Sequence, residues 1–360
     1  MLRDFLHLAG GYWWGTRRWH AWGLTAGLIL LTVALVLLQI RLNVWTAELF
    51  DALERRSTAD FLTQVWVFAA IVFGTVLTTR AHVMFKRSLQ IEWRNWLTMR
   101  LMERWMDRAK QYQLALMPGR HDNPDGRIAE DARIATEWAV ELAHSLLFCA
   151  ATLFSFVPLL WELSGLTFIG SQPVYGHMVW LAILYTLLGA VGALILGRRL
   201  VRTTDVRQGR EANFRLALVR AREGAMAIAL AHSEPAVRRR LARLFSGIAV
   251  AWHRQTAVLS RLTIFSSGYA TLAPVFPLLI TTPRYLAGTI TLGELMQTAQ
   301  AFQQVNGALS WPIDKFQQIA EWRASTGRVL ALAGAADGLE AAVEIMADLS
   351  HCRTDTSHER

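Results

Sequence analysis

Residues Ala21–Ile40 run for twenty positions without a charge, and this run constrains the fold more than any other feature. About twenty apolar residues are what a helix needs to cross the hydrocarbon core of a bilayer. Inside hydrocarbon every backbone N–H and C=O must find its partner within the segment, which leaves the helix as the form open to such a run. The same length recurs at Leu62–Thr79, Leu142–Leu160, Met178–Gly197 and Leu262–Thr282. A sixth stretch, 288–313, carries Glu294, several Gln and Asn306. Such groups are tolerated in a span that faces a bundle interior or a water-filled cavity, so it is read as a sixth span. The first run is too long for a signal-peptide core and no small-residue cleavage site follows it, so it is expected to stay as a span.

The composition agrees: 53% of residues are hydrophobic and 18% charged, where soluble domains carry about a quarter charged. Against this background the net charge of +9 is conspicuous. It suits nucleic acid, anionic lipid or the topology of a membrane protein. Its distribution decides. Residues 198–254 hold 13 Arg against four acids, a net +9, so the rest of the chain sums to zero. The N-terminal segment has Arg3, Arg17 and Arg18 against Asp4, and 86–137 carries about ten basic and eight acidic residues. Between the first two spans Glu48, Asp51, Glu54 and Asp60 outnumber Arg55 and Arg56, and the third connection has no Lys or Arg. Basic excess marks the cytoplasmic side. Both termini and both long loops are therefore placed in the cytoplasm, and the three short connections outside. Arg238-Arg239-Arg240 is read as a topology anchor and no nucleic-acid partner is expected.

Unstructured loops of more than fifty residues are uncommon. Trp93, Trp96, Leu97, Met99, Leu101 and Met102 recur at near-helical spacing beyond span two, and apolar residues alternate with Arg and Glu across 212–230. Spans are thus expected to run on into the cytoplasm and to be joined by short cross-helices, suited to docking a partner; plain soluble hairpins are the alternative. Residues 1–20 are expected to include an interfacial helix, 21–332 the spanning domain, and 333–360 a polar, disordered tail. Catalytic signals are missing from the sequence. It contains no G-x-x-x-x-G-K-[ST], G-x-S-x-G or H-E-x-x-H. Two cysteines, Cys149 and Cys352, cannot make a disulfide framework or a cysteine zinc site. His20, His82, His144, His232 and His253 are scattered and read as surface or interface residues. Leu163-Ser164-Gly165, at the external end of span three, is a decoy for a cassette signature loop. No catalytic or metal site and no cofactor in this chain are expected.

Several ordered motifs then carry a resemblance. Asn43-Val44-Trp45 and Phe50-Asp51-Ala52-Leu53 lie after span one, and Glu92-Trp93-Arg94 with Trp96-Leu97-Thr98 on the helix leaving span two. Asn123-Pro124-Asp125-Gly126-Arg127-Ile128-Ala129-Glu130-Asp131 resembles an N-P-D-Q-R-I-x-E-D motif. Glu211-Ala212-Asn213-Phe214-Arg215, Arg222-Glu223 and Ala227–Leu230 follow, then Pro283-Arg284-Tyr285, Thr291-Leu292-Gly293, Ala308-Leu309-Ser310-Trp311 and Glu321-Trp322-Arg323-Ala324. Over roughly residues 30–330 the chain resembles the membrane-spanning domain of ATP-binding-cassette (ABC) transporters. Within these it resembles the group of SbmA/BacA-like peptide importers, their cassette-bearing bacterial relatives and the peroxisomal fatty-acyl (ALD-type) half-transporters. Gly126, Met226 and Ala231-His232-Ser233 depart from the family pattern near the expected cassette-contact surface.

The resemblance implies an all-α, six-span ABC exporter-type domain in a bacterial inner membrane, acting as a homodimer. It implies a permease that moves peptides or other amphipathic molecules, of the antimicrobial-peptide, vitamin B12 or fatty-acyl type. Mg-ATP is expected on a partner cassette, since cassette-bearing relatives continue into an ATPase and this chain is expected to stop before one. Asp125, Arg127, Glu130, Asp131, Glu223 and Glu234 are the candidate coupling residues, with Pro124 ending an extended approach and Asp125 capping the next helix. Gln297, Gln300 and Gln304 share a face of span six and are read as cavity lining. Pro274, Pro277 and Pro312 are expected to kink spans five and six. The alternative is an SbmA/BacA-like importer driven by protons, with Glu141 (near His144), Glu162, Glu294 and Asp314 as candidate proton carriers. A truncated, non-functional relative is the third reading.

Overall fold

The apolar runs fold as helices, and the helices do not stop where the apolar runs stop. The computed structural model describes residues 2–15, 18–107, 110–116, 123–169 and 172–355. Helix α1 (Leu2–Trp14) precedes α2 (Arg18–Glu54) and α3 (Thr58–Met106), a 49-residue helix, and then comes α4 (Lys110–Leu116). A short α5 (Pro124–Gly126) passes through a π turn (Arg127–Asp131) into α6 (Ala132–Ser164). Next come α7 (His177–Glu223), α8 (Ala225–Leu230), α9 (Glu234–Leu286), α10 (Leu292–Asp314) and α11 (Phe316–Asp355).

Five helices among the described residues are long and apolar enough to cross a membrane: α2, α3, Pro124–Ser164, α7 and α9. At 1.5 Å per residue, the 53 residues of α9 extend about 80 Å, against a hydrocarbon core of about 30 Å. Each of α3, α7 and α9 therefore continues well past the bilayer, as the sequence predicts. Helix α10, with 23 residues, has the length to cross but is not among the five apolar ones. Its Gln and Asn content explains that.

Local signals set the ends. The Ser57 hydroxyl caps α3 by accepting from the Asp60 N–H at 3.3 Å. Thr291 and Glu294 form a reciprocal capping box at the start of α10, each backbone N–H donating to the other's side chain. Gly176, at φ +65, turns the chain into α7 with the Trp161 ring against it, so a side chain there would collide as well as strain. The prolines do not end their helices: Pro158 lies inside α6, Pro274, Pro277 and Pro283 inside α9, and Pro312 inside α10.

Two expectations need correction, and one connection holds an element that was not anticipated. Leu166–Ile169 and Gln172–Tyr175 form an antiparallel two-stranded hairpin, so the connection between the third and fourth spans is not helical. Thr, Phe, Ile, Val and Tyr cluster there, and such residues favour strands. Residues 333–355, expected as a disordered tail, belong to α11, where Ala, Leu, Met and Glu supply helix propensity; 356–360 lie outside the described residues. Asn123, not Asp125, occupies the cap of α5, and in a left-handed conformation (φ 54) rather than an extended one.

The described chain divides into two units, Met1–Leu159 with Gly307–Arg360, and Leu160–Asn306. In the first, α2 and α3 pair, with the Trp45 indole donating to the Gln64 carbonyl at 2.8 Å near their turn. Its core gathers Phe5, Leu8 and Tyr12 of α1 against Leu89, Trp93 and Leu97 of α3, Ile128 and Ala135, and Val329 and Leu332 of α11. In the second, α7 packs along α9, and the Tyr185 and Tyr269 rings stack at 4.4 Å. A Cβ at Gly192 would lie 2.2 Å from the Phe265 ring. Gly192→Leu should therefore push α7 off α9 and cost about 1–3 kcal/mol, lowering the melting temperature in detergent. Gly197→Ala, where no atom crowds the added methyl, should not lower it.

Candidate coupling and cavity sites

The N-P-D-x-R-I-x-E-D segment folds around its own π turn, and that turn sorts its charges. Arg127, Ile128 and Asp131 are buried, whereas Asp125 and Glu130 are exposed. Asp131 faces Arg328 of α11 in a fork: Arg328 Nε donates to Oδ2 at 2.7 Å and Nη2 to Oδ1 at 2.5 Å. Arg328 Nη2 also donates to Ser325 Oγ at 3.0 Å, and Arg127 Nη1 to the Arg328 carbonyl at 3.3 Å. The Trp322 indole adds a bond to the Ala135 carbonyl at 3.1 Å. The hydrogen bond that Arg328 donates to Asp131 pushes Arg328 further up from its ordinary value, against the opposing effect of burial. Two carboxylate oxygens and a planar guanidinium give a geometry that lysine could not reproduce. The segment thus fastens α6 to α11 through Arg127 and Asp131. Arg328 escaped notice in the sequence.

The remaining coupling candidates flank α8. Glu223 is the last residue of α7 and Glu234 the first of α9, and both are exposed. Between them α8 presents Met226 and Leu230, one helical turn apart and 77% and 74% exposed. The hairpin below is braced by Phe214 against Phe245 and by Arg207 over the Trp252 ring.

On α10, Gln297 is buried and Gln300 and Gln304 are half-buried. Asn306 lies about half a turn around the helix from Gln297, at roughly 100° per residue, and looks the other way. Its Oδ1 accepts from Thr186 Oγ1 at 2.7 Å and the Tyr269 hydroxyl at 3.1 Å. The Tyr185 hydroxyl donates to the Tyr269 carbonyl at 2.6 Å, just before Pro274 and Pro277 remove two donors from α9. This polar node was not foreseen.

The carboxylates considered as proton carriers have different surroundings. Glu141 pairs with Lys86 at 2.9 Å and Lys315 at 3.7 Å. Glu294 serves the capping box. Glu162 and Asp314 are exposed near helix ends. Beside Glu141 two histidines thought to be scattered meet: the His82 and His144 rings lie 4.3 Å apart. Among the described residues no three His, Cys, Asp or Glu side chains gather as a metal site.

Helices that run from bilayer depth into an exposed hairpin tip define a multi-pass membrane protein built as a transport domain. The chain belongs to the ABC transporter transmembrane region 2 family, whose model matches residues 12–286. It is 32% identical over 313 residues to the inner membrane ABC transporter ATP-binding protein YddA of Escherichia coli (strain K12), covering 84% of this chain and 56% of that protein. It is 27% identical over 315 residues to the uncharacterized ABC transporter ATP-binding protein sll0182 of Synechocystis sp., covering 87% and 46%. With ABC transporter D family member 2, chloroplastic, of Arabidopsis thaliana it shares 25% over 330 residues, covering 91% and 45%. The chain spans about half the length of the curated relatives it matches. The resemblance drawn from the ordered motifs is borne out.

Asp131 and Arg328 should act as one unit. A double-mutant cycle with Asp131→Ala and Arg328→Ala should give a coupling of about 0.5–3 kcal/mol, and each single variant should raise amide exchange across 316–335. Arg328→Lys should restore little of the protection.

Proposed function

We propose that this chain is the permease half of an ABC-type transporter in a bacterial inner membrane. Two copies enclose the pathway, each supplying six spans with α10 as the sixth, and Mg-ATP acts on a cassette carried by another polypeptide segment. The reading rests on one observation above others: α7 and α9 extend without a break from bilayer depth to α8, whose Met226 and Leu230 stand exposed at the tip. An apolar pair held on a rigid lever is suited to a cassette surface, and closure of the cassette pair would rock the bundle between two arrangements. Glu223 and Glu234 flank that contact, and the Asp131–Arg328 fork keeps the first hairpin and α11 moving together. Asp125 and Glu130, exposed on the same segment, are free to meet the cassette. Both termini lie in the cytoplasm, on the side of the basic segment 198–254.

Gln297, Gln300 and Gln304 line the pathway of the dimer, and the cargo is a peptide or another amphipathic organic molecule. A proton-driven importer needs carboxylates that change protonation within the membrane field. The engagement of Glu141 by two lysines and of Glu294 by a helix cap favours the cassette-driven reading over that one.

Proteoliposomes separate the two. The chain with a cassette and ATP should take up or release a labelled antimicrobial peptide, and the chain alone under a proton gradient should not. Gradient-driven uptake abolished by Glu141→Gln would reverse the assignment. Met226→Asp with Leu230→Asp should weaken cassette binding about tenfold, as expected for loss of a small apolar hot spot, and leave the melting temperature unchanged.

A further inference from the structure

A cavity of about 560 Å³ lies within the first unit, walled on one side by α1. Its volume falls in the range of pockets that hold organic ligands. Phe5, Gly10 and Trp13 of α1 line it together with Trp93 of α3, Trp311 of α10 and Trp322 of α11. The polar atoms of this wall are largely spent on protein. Trp13 Nε1 donates to Thr25 Oγ1, Thr32 Oγ1 to the Leu28 carbonyl, Trp311 Nε1 to Ser145 Oγ, and Trp322 Nε1 to the Ala135 carbonyl. Trp93 Nε1 and the His144 ring nitrogens are the buried atoms left without a partner there. So few groups, spread over one cavity, do not hold a chain of waters, which need two to four partners each. An empty cavity of this size would strip its lining of contacts.

Depth identifies what fills it. Leu28 and Leu147, on the wall, sit five to seven residues inside the uncharged runs that begin at Ala21 and Leu142, about 8–10 Å along a helix. Leu89, Trp93, Ala139, Val140, Trp322 and the α1 residues of the wall lie outside those runs, so the cavity reaches from acyl-chain depth to the membrane boundary beside α1. Its wall includes Leu6, Ile29 and Leu146, all exposed, so the cavity opens onto an apolar surface of the unit. Arg3 is exposed one turn before Leu6, and Arg18 is exposed at the start of α2. Each is a basic group in the first turn of a helix that lines the cavity.

We propose that this cavity is a site for one acyl chain of an anionic phospholipid, held as a resident lipid under α1, its headgroup phosphate beside Arg3 and Arg18. The chain, not the transported cargo, completes the packing between α1 and the spans. Gly10 offers a clean way to close the site, because a side chain added there meets no atom within 4 Å and would project into open space.

The test is native mass spectrometry of the full chain, purified in mild detergent and titrated with phosphatidylglycerol. One lipid per chain should survive on the wild type and on Gly10→Ala. Gly10→Phe, and Ala143→Phe from the opposite wall, should each weaken retention about tenfold while keeping the wild-type melting temperature in lipid-free detergent. Arg3→Gln should abolish the preference for phosphatidylglycerol over phosphatidylcholine. Equal retention by wild type and both phenylalanine variants would overturn the proposal. So would loss of dimerisation by those variants with lipid stoichiometry unchanged, which would assign the cavity to a second copy of the chain.

Discussion

Everything else in this molecule follows from the requirement that backbone polar groups be satisfied before they enter hydrocarbon. The uncharged runs meet it by being helical throughout, and a helix so formed has no reason to stop at the membrane surface. Helices α3, α7 and α9 carry on as single elements of 49, 47 and 53 residues. Even the prolines of α9 lie within an unbroken helix, and the Tyr185 hydroxyl donates to the Tyr269 carbonyl one turn before them. A long rigid helix makes an event at one end mechanically visible at the other. That is the physical basis of the coupling proposed for this chain.

At the membrane boundary and beyond it the rules change, because water allows charges and a packed core becomes the organising force. In the first unit α1 is drawn onto α3 and α11 by aromatic contacts, Phe5 edge-on to Trp322 at 5.6 Å and Trp13 against Trp93 at 5.0 Å. Beside this core the Asp131 carboxylate is only 9% exposed. A carboxylate so placed is tolerated because Arg328 meets both its oxygens; remove the arginine and a buried charge is left without compensation. Arg127 and Asp131 are four residues apart across the π turn and share its buried side; such turns are frequent at functional sites.

How much of this could be read beforehand depended on sequence distance. The spans were legible because twenty apolar residues are a local signal, and the onward helices because Trp93, Trp96 and Leu97 keep a local period. The family was legible because its motifs come in a fixed order. The Asp131–Arg328 fork was not, since its partners are 197 residues apart and each looks like an ordinary surface charge. The same holds for Asn306 with Thr186, 120 residues apart, and for the His82–His144 contact. Asp125 was taken for a cap because aspartate is a good one, yet Asn123 tolerates the left-handed geometry that the tight entry demands. The hairpin at 166–175 was passed over because a short, uncharged connection resembles a loop. In 333–355 the polar residues drew attention away from the helix formers between them.

As proposed above, α8 reports on the nucleotide state of a cassette. Pulsed electron resonance between spin labels at Met226→Cys on the two copies of a reconstituted dimer measures this directly. The label–label distance should shorten when cassette and ATP are added and stay unchanged under a proton gradient alone. A distance indifferent to cassette and ATP, but responsive to the gradient, would contradict the account.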